Sequence, residues 1–481
     1  MAMVPIVPYE HPFEHLLFAS GWLLAPAAHA GRLGWNKTAV GSFNLWSAPE
    51  TPVASYSSGA TLVMIIGRPM DPFGYTSDAG AIVTRMAGEF EKGRFLDFLD
   101  RLTGRWIAVV DEGHGPVIYQ DAAGTRAVFY ADGLAASHSA LIAADPVGPS
   151  SLVSAIWKNL GQTSPGVKYL PGILAPHLGV RALTPNCRLR MSDMSVKRFW
   201  PREPRQEVGS VSEVAMDVSR ILTRSLRLAA DTWSLGMSLT AGLDTRVTLA
   251  ASREIAKRVF YFSYIQPDKP NKVHHRDLKV ATSIAQSSGL EHRIVEFGAT
   301  QAGDDFNEFR EVWVQNLGIP RGIPSLAKAY VDRWPVETMH VRSNVAEVGR
   351  VFYKGPRLDS ITPAALIRWW NPDMEGDADS IGAFEEFCEA SSFNDESMLG
   401  YDPLDIFYWE HRIGAWHAWL CLEMDVSHDT LPIFSNRVML KRLLSLPFEA
   451  RESAAAYHEV IELLWPELHA WPINGRQWHP G

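Results

Sequence analysis

Small polar residues follow a short apolar run within 234–246, and their types and order suit the binding of phosphate. The run reads as a strand whose closing loop opens a helix, because Ala241 and Gly242 let the backbone turn closely. Amides at a helix N-terminus bind anions, hydroxyl groups add donors, and a carboxylate can hold a hydrated cation. The alternative is a well-packed turn without a ligand. The predicted ligands of phosphate and Mg²⁺ are Ser238, Thr240, Gly242, Asp244 and Thr245.

The segments around this loop predict the sheet that positions it. Apolar residues recur at helical steps over 211–228, and 258–264 is a continuous apolar strand. A helical pattern at 277–285 then precedes another strand at 289–296. This alternation predicts an open parallel sheet that binds its ligand at the carboxyl ends of the strands.

The first 200 residues or so read differently, as short strands with a few helices. Runs such as 62–67 and 106–110 are rich in β-formers, whereas 95–102 has apolar residues at helical spacing. We therefore expect an antiparallel sheet with flanking helices. Prolines and charged residues near 205 predict a boundary between two domains, 1–205 and 206–481.

Composition narrows the functional class. The chain has 481 residues, of which 46% are hydrophobic, and a net charge of −9 without a basic block, which argues against nucleic acid as a partner. Cys187, Cys388 and Cys421 lie far apart and predict neither a disulfide framework nor a zinc site, as expected for a cytoplasmic protein. The apolar run at 16–30 has no preceding Lys or Arg, so we expect neither a secretory signal nor a membrane span.

Three segments in order resemble the asparagine synthetase family. Thr-Ala-Gly-Leu-Asp-Thr at 240–245 resembles its pyrophosphatase loop, Ser-Gly-Gly-Leu-Asp-Ser, and 339–353 resembles its second motif. The segment 429–447 resembles the family's Arg-x-Pro-Phe-Leu-Asp-x-Arg-Leu region. The resemblance implies a parallel-sheet domain of the adenine-nucleotide α-hydrolase type with a helical extension, which binds ATP and Mg²⁺.

The same resemblance implies roles for residues outside the loop. Glu347 falls on or beside the acidic residue that shares the Mg²⁺–pyrophosphate site with Asp244; its plainer interpretation is a first-turn glutamate favoured by the helix dipole. Ser263 falls near the adenine pocket, where its side chain would otherwise be core. Asn344 takes the position of an acidic residue or tyrosine, and because an amide cannot act as a general base, it would orient a substrate. Arg476 is the cationic substitute for a C-terminal lysine that stabilises acyl transfer.

Residues 95–130 resemble the late part of the family's glutamine amidotransferase domain, which implies an Ntn-hydrolase-like αββα sandwich. That domain uses an N-terminal cysteine as its nucleophile. This chain begins Met1-Ala2-Met3, and no cysteine precedes Cys187. We therefore expect a degenerate domain that does not hydrolyse glutamine.

These features together predict an ATP-dependent carbon–nitrogen ligase. It would adenylate a small-molecule or peptide carboxylate, release pyrophosphate and pass the acyl group to an amine, as β-lactam synthetases and lasso-peptide cyclases do. Two alternatives stay open: a non-catalytic nucleotide-binding or scaffold protein, and an adenylating enzyme whose acceptor is not an amine. A homodimer is compatible with the sequence.

Overall fold

The structure is a computed structural model that describes residues 11–59, 61–164, 166–267, 272–298, 303–319 and 321–478. The expected lack of an N-terminal cysteine nucleophile depends on the start Met1-Ala2-Met3, which lies outside the described residues.

Two six-stranded antiparallel sheets form the first part of the chain. Their orders are β10-β8-β9-β1-β3-β2 and β12-β11-β7-β6-β5-β4. The strands are β1 (Trp22–Pro26), β2 (Asn36–Val40), β3 (Phe43–Ser47), β4 (Val53–Ser58), β5 (Thr61–Met70), β6 (Thr103–Asp111), β7 (Val117–Gln120), β8 (Phe129–Ala131), β9 (Leu134–Ala136), β10 (Arg181–Ala182), β11 (Cys187–Arg190) and β12 (Val196–Arg198).

Alternation along β6 shows how the two sheets meet. Ile107 and Val109 pack in one hydrophobic cluster with Trp22 and Leu45 of the other sheet. Trp106, Ala108 and Val110, which alternate with them along the strand, belong to a second, larger core. Because successive side chains of a strand point to opposite faces, β6 is buried on both sides.

A five-stranded parallel sheet follows, in the order β15-β14-β13-β16-β17. The chain runs outward from β13 to β14 and β15, then returns to place β16 on the other side of β13. The crevice between β13 and β16 is therefore the topological switch point, where ligands bind in such sheets. The strands are β13 (Ser234–Ser238), β14 (Phe260–Ile265), β15 (His292–Glu296), β16 (Thr338–Arg342) and β17 (Thr430–Pro432).

Helices connect and cover the strands, and the helical patterns predicted at 95–102, 211–228 and 277–285 are confirmed. A ten-residue π-helical segment, Tyr408–His417, lies between α11 and α12. The helices are α1 (Ala79–Glu91), α2 (Phe95–Arg101), α3 (Ser151–Thr163), α4 (Val211–Thr232), α5 (Leu243–Ala251), α6 (Lys272–Ser288), α7 (Asp304–Leu317), α8 (Pro324–Arg333), α9 (Pro363–Trp370), α10 (Ala378–Ala390), α11 (Pro403–Phe407), α12 (Ala418–Met424), α13 (Arg437–Leu444), α14 (Phe448–Glu452) and α15 (Ala455–Leu464).

No described helix combines the length and the apolar content that crossing a membrane requires. The chain is thus a mixed α/β protein with a parallel sheet and two antiparallel sheets, as predicted in outline. The Ntn-hydrolase-like assignment and the division at 205 stay predictions.

Buried polar contacts join the antiparallel sheets to the C-terminal part of the chain. Arg105 in β6 donates two hydrogen bonds to Asp425, one of them 2.7 Å long, and both side chains are buried. Arg198 holds Glu410 in the same bidentate way. A buried pair broken on one side leaves an uncompensated charge, so these contacts fix how the sheets sit against the helices.

Replacing Asp425 by Ala should lower the free energy of unfolding by about 3–5 kcal/mol, because it leaves the Arg105 guanidinium buried without its counter-ion. Urea denaturation followed by circular dichroism measures the change. Asp359→Ala, at an exposed aspartate, is the matched control and should be near neutral. Equal unfolding midpoints for the two variants would contradict this account of the interface.

Candidate functional site

The loop between β13 and α5 lies at the switch point and holds its own hydroxyl groups in place. The amide of Gly242 donates to Thr240 Oγ1 over 3.0 Å, and the hydroxyls of Thr240 and Thr245 are 2.9 Å apart. Gly242 is the N-cap of α5 and supplies no side-chain cap. The first-turn amides therefore have no intrahelical partner, which leaves a helix N-terminus suited to an anion.

Asp244 stands in the first turn of α5, where an arginine from another loop holds it. Arg350 Nε donates to Asp244 Oδ1 over 2.9 Å, and Arg350 Nη2 donates to Oδ2 over 2.7 Å. This bidentate geometry is the strongest form of the arginine–carboxylate pair. Both oxygens of the predicted metal ligand are thus engaged by one guanidinium.

Glu347 lies in a short 3-10 turn, Ala346–Gly349, just after β16. Its Oε2 atom is buried and has no hydrogen-bond partner among the described residues. Burial, together with the negative charge of Asp244, raises the pKa of the Glu347 carboxyl to about 7, against the opposing charge of Arg350. Asp244 and Glu347 are therefore close enough to interact electrostatically, on segments that follow two neighbouring strands.

The donor set fits a divalent cation bound with phosphate. Two carboxylates from neighbouring strand ends, one with an unpartnered buried oxygen, match the oxygen ligands that Mg²⁺ takes. The described residues contain no group of three or more His, Cys, Asp or Glu placed to hold a metal. Mg²⁺ commonly uses one or two carboxylates and completes its shell with substrate phosphates and water. The carboxylate pair fits that use, with Arg350 as the competing cation.

The backbone between β16 and this turn is strained. Val345 has φ +83°, a left-handed conformation that a β-branched residue rarely adopts. The hydroxyl of Ser343, two residues earlier, lies 2.8 Å from that of Thr248 in α5 and ties the two loops together. Asn344 lies between Ser343 and Val345 in the chain and is half-buried. Strain of this kind concentrates at functional sites.

The C-terminal segment is anchored beside the loop between β13 and α5 by Arg246. This fully buried arginine donates to the carbonyl oxygens of Leu468, Trp471 and Pro472, at 2.6, 3.3 and 3.3 Å. Further along, the amide of Asn474 donates to the carbonyl of Ala241 over 2.9 Å.

Arg476 follows this contact by two residues. Its backbone pairs with Ile473, and the residue is exposed. The structure therefore places the segment of Arg476 near the loop, on the solvent side.

Ser238 and Ser263 end up near the same edge of the sheet. Ser238 is the last residue of β13 and is half-buried. Ser263 is buried in β14; its hydroxyl donates to the carbonyl of Leu239 over 2.7 Å and lies 3.0 Å from His292 Nε2. The Ser263 hydroxyl thus supports the loop, while its contact with adenine stays a prediction.

Several residues around the carboxylates were missed by sequence reasoning. The Tyr457 hydroxyl donates to the carbonyl of Ala346 and fixes the turn that carries Glu347. Arg412, on the π-helical segment, donates to the Tyr169 hydroxyl over 3.2 Å. Its positive charge also opposes the rise in the pKa of Glu347. Arg350 lay inside the quoted motif, but nothing in its neighbours signals a partner 106 positions away.

Comparisons with known proteins leave the function to be argued from this geometry. No protein-family model matches the chain, and no curated protein matches its sequence. Two solved structures are similar in part. Glutamine-dependent NAD⁺ synthetase from Acinetobacter baumannii, in complex with ADP, is 12% identical with a TM-score of 0.21; the match covers 42% of this chain and 43% of that one.

The second is glutamine phosphoribosylpyrophosphate amidotransferase from B. subtilis, complexed with ADP and GMP. It is 11% identical with a TM-score of 0.23, over 73% of this chain and 71% of that one. This chain spans less than half the length of the synthetase that it matches. Similarity at these low TM-scores carries no argument about function.

The raised pKa of Glu347 predicts that the protein loses stability as the pH rises. An acid whose pKa is about 7 when folded and near 4.5 when unfolded stabilises the fold fully below pH 4.5. That contribution, about 3–4 kcal/mol, is lost as the pH rises through 7. Glu347→Gln should flatten the slope between pH 5 and 8 and raise stability at pH 8.

Thermal unfolding of both proteins across this pH range measures the slope. Glu396→Gln, at an exposed glutamate, is the control and should keep the wild-type profile. Parallel profiles for wild type and Glu347→Gln would show that Glu347 is not held in an unfavourable charged state.

Proposed function

We propose that the chain is an ATP-dependent ligase that joins a carboxylate to an amine through an acyl-adenylate, without hydrolysing glutamine. The observation that carries this proposal is the uncapped N-terminus of α5 at the switch point, with Asp244 in its first turn and Glu347 in the turn after the neighbouring strand. Positive helix amides and a pair of carboxylates are what a polyphosphate with Mg²⁺ needs. The sequence resemblance to asparagine synthetases supports the same chemistry.

Each residue of the loop has a role in this proposal. The α5 amides and the hydroxyls of Thr240 and Thr245 hold the pyrophosphate part of ATP. Asp244 and Glu347 hold Mg²⁺, which when bound offsets negative charge on the departing pyrophosphate. Ser238 and Ser263 face the nucleoside end of the same edge.

The acyl substrate and the amine meet beyond the phosphates. The substrate carboxylate attacks the α-phosphate and displaces pyrophosphate; the amine then attacks the acyl carbon and displaces AMP. Asn344 orients the acid, because its amide can hydrogen-bond but cannot take a proton. Arg476 offsets negative charge in the second step. The amine is part of the same substrate or a second small molecule.

One observation favours a second candidate, a nucleotide-binding protein without catalysis. Arg350 engages both oxygens of Asp244. If this pair is permanent, Arg350 replaces the metal and the loop binds phosphate only as a static anion site. The two candidates differ in whether pyrophosphate is ever released and returned.

ATP–pyrophosphate exchange over a panel of carboxylic and amino acids tests the ligase. Exchange should occur with at least one acid, and Asp244→Asn should reduce it by about a hundredfold or more, because a charged ligand of the departing group is lost. Asp231→Asn, at an exposed aspartate on α4, is the matched control and should exchange normally.

Two outcomes decide against parts of the proposal. ATP binding without exchange for any acid would select the nucleotide-binding candidate. Exchange that survives Asp244→Asn unchanged would overturn the assignment of the site.

A further inference from the structure

The backbone that carries Arg350 is held more firmly than the Arg350 side chain, so the side chain could change its partner while the backbone stays in place. The backbone before Arg350 is fixed, because Tyr457 bonds the carbonyl of Ala346 and Gly349 is packed tightly. A Cβ on Gly349 would come within 2.5 Å of the Tyr457 hydroxyl oxygen and 2.6 Å of Leu443 Cδ1. The turn therefore cannot shift without disturbing the core.

The side chain of Arg350 is less confined than its backbone. It is 28% exposed, and the Asp244 side chain that it holds is 16% exposed. A long, partly exposed guanidinium can leave one acceptor for another without any movement of the fold. Asp244 is the one ion-pair partner of Arg350 within the described part of the chain.

Charge decides where the guanidinium is drawn. A polyphosphate at the N-terminus of α5 would bring several negative oxygens beside Asp244, which stands in that first turn. A guanidinium fork matches phosphate oxygens as well as it matches a carboxylate. Asp244 would then be released beside Glu347, whose Oε2 atom has no partner among the described residues.

We propose that Arg350 is a transferable counter-ion: it closes the cation site while no polyphosphate is bound and moves onto the polyphosphate to free Asp244 for the metal. This inference rests on the proposed binding of polyphosphate and Mg²⁺ at the loop. Its consequence is that the metal and the polyphosphate each strengthen the binding of the other. Arg350 is a positioning residue for the metal ligand and also a ligand of phosphate.

Mn²⁺ and inorganic pyrophosphate are the probes, with free Mn²⁺ measured by electron paramagnetic resonance. The wild type should bind Mn²⁺ at least about tenfold more tightly when pyrophosphate is present. Arg350→Met should bind Mn²⁺ alone at least about tenfold more tightly than the wild type does, because Asp244 has lost its competing cation. The same variant should bind pyrophosphate about tenfold more weakly, because a charge-assisted contact is gone.

Two further variants make the result specific. Arg350→Lys keeps the charge but not the fork, and should lie between wild type and Arg350→Met in both measurements. Arg368→Met, at an exposed arginine paired with Glu375, is the matched control and should behave as the wild type. If Arg350→Met does not fold, the Arg350→Lys comparison decides alone.

Equal affinity of wild type and Arg350→Met for Mn²⁺ alone would overturn the inference, and so would unchanged affinity for pyrophosphate. Failure of the ligase proposal would give a different set of results from failure of the counter-ion role. A protein that shows the Mn²⁺–pyrophosphate coupling but exchanges no acid keeps the counter-ion role and loses the reaction. A protein that exchanges an acid while Arg350→Met leaves Mn²⁺ binding unchanged keeps the reaction and loses the counter-ion role.

Discussion

Burial of the Glu347 carboxyl close to the charge of Asp244 is the constraint on which this site depends. β13 and β16 pair in parallel from Ser234 opposite Thr338 to Met237 opposite Val341, so the loops that follow them must leave the sheet side by side. Asp244 stands in the first turn of the helix after β13, and Glu347 in the turn after β16, where its Oε2 atom is buried. Burial is the largest cause of the raised pKa of Glu347, the charge of Asp244 is the next, and Arg350 supplies the compensating charge.

The surroundings are built to keep this arrangement despite its cost. Val345 accepts a left-handed backbone conformation, which costs on the order of 1–3 kcal/mol, and Tyr457 and Gly349 lock the turn that follows. On the other side of the loop, the buried guanidinium of Arg246 donates hydrogen bonds to three backbone carbonyls of the C-terminal segment. The backbone around the carboxylates is thus fixed by distant parts of the chain, while the side chain of Arg350 is partly exposed.

The sequence predicted the features that depend on local pattern. Strand and helix periodicity between 211 and 296 was enough for the parallel sheet, whereas Asp244 and Glu347 as joint metal ligands followed from the family resemblance and stay a prediction. Arg350, Tyr457 and Arg412 could not be predicted, because their roles depend on partners brought close only by the fold. Trp409, Trp416 and Trp419 lie at ordinary helical steps, so the sequence does not distinguish the π-helical segment that carries Arg412 from an α-helix. The pairing of Arg105 with Asp425, 320 positions apart, was hidden for the same reason.

The most direct test of the central claim is a crystal structure with Mn²⁺ and the non-hydrolysable analogue α,β-methylene-ATP, in which anomalous scattering locates the metal. The account predicts one Mn²⁺ peak in contact with both Asp244 and Glu347, phosphates at the N-terminus of α5, and the Arg350 guanidinium on a phosphate oxygen. Mn²⁺ bound elsewhere, or the analogue bound with Arg350 still on both oxygens of Asp244, would contradict it.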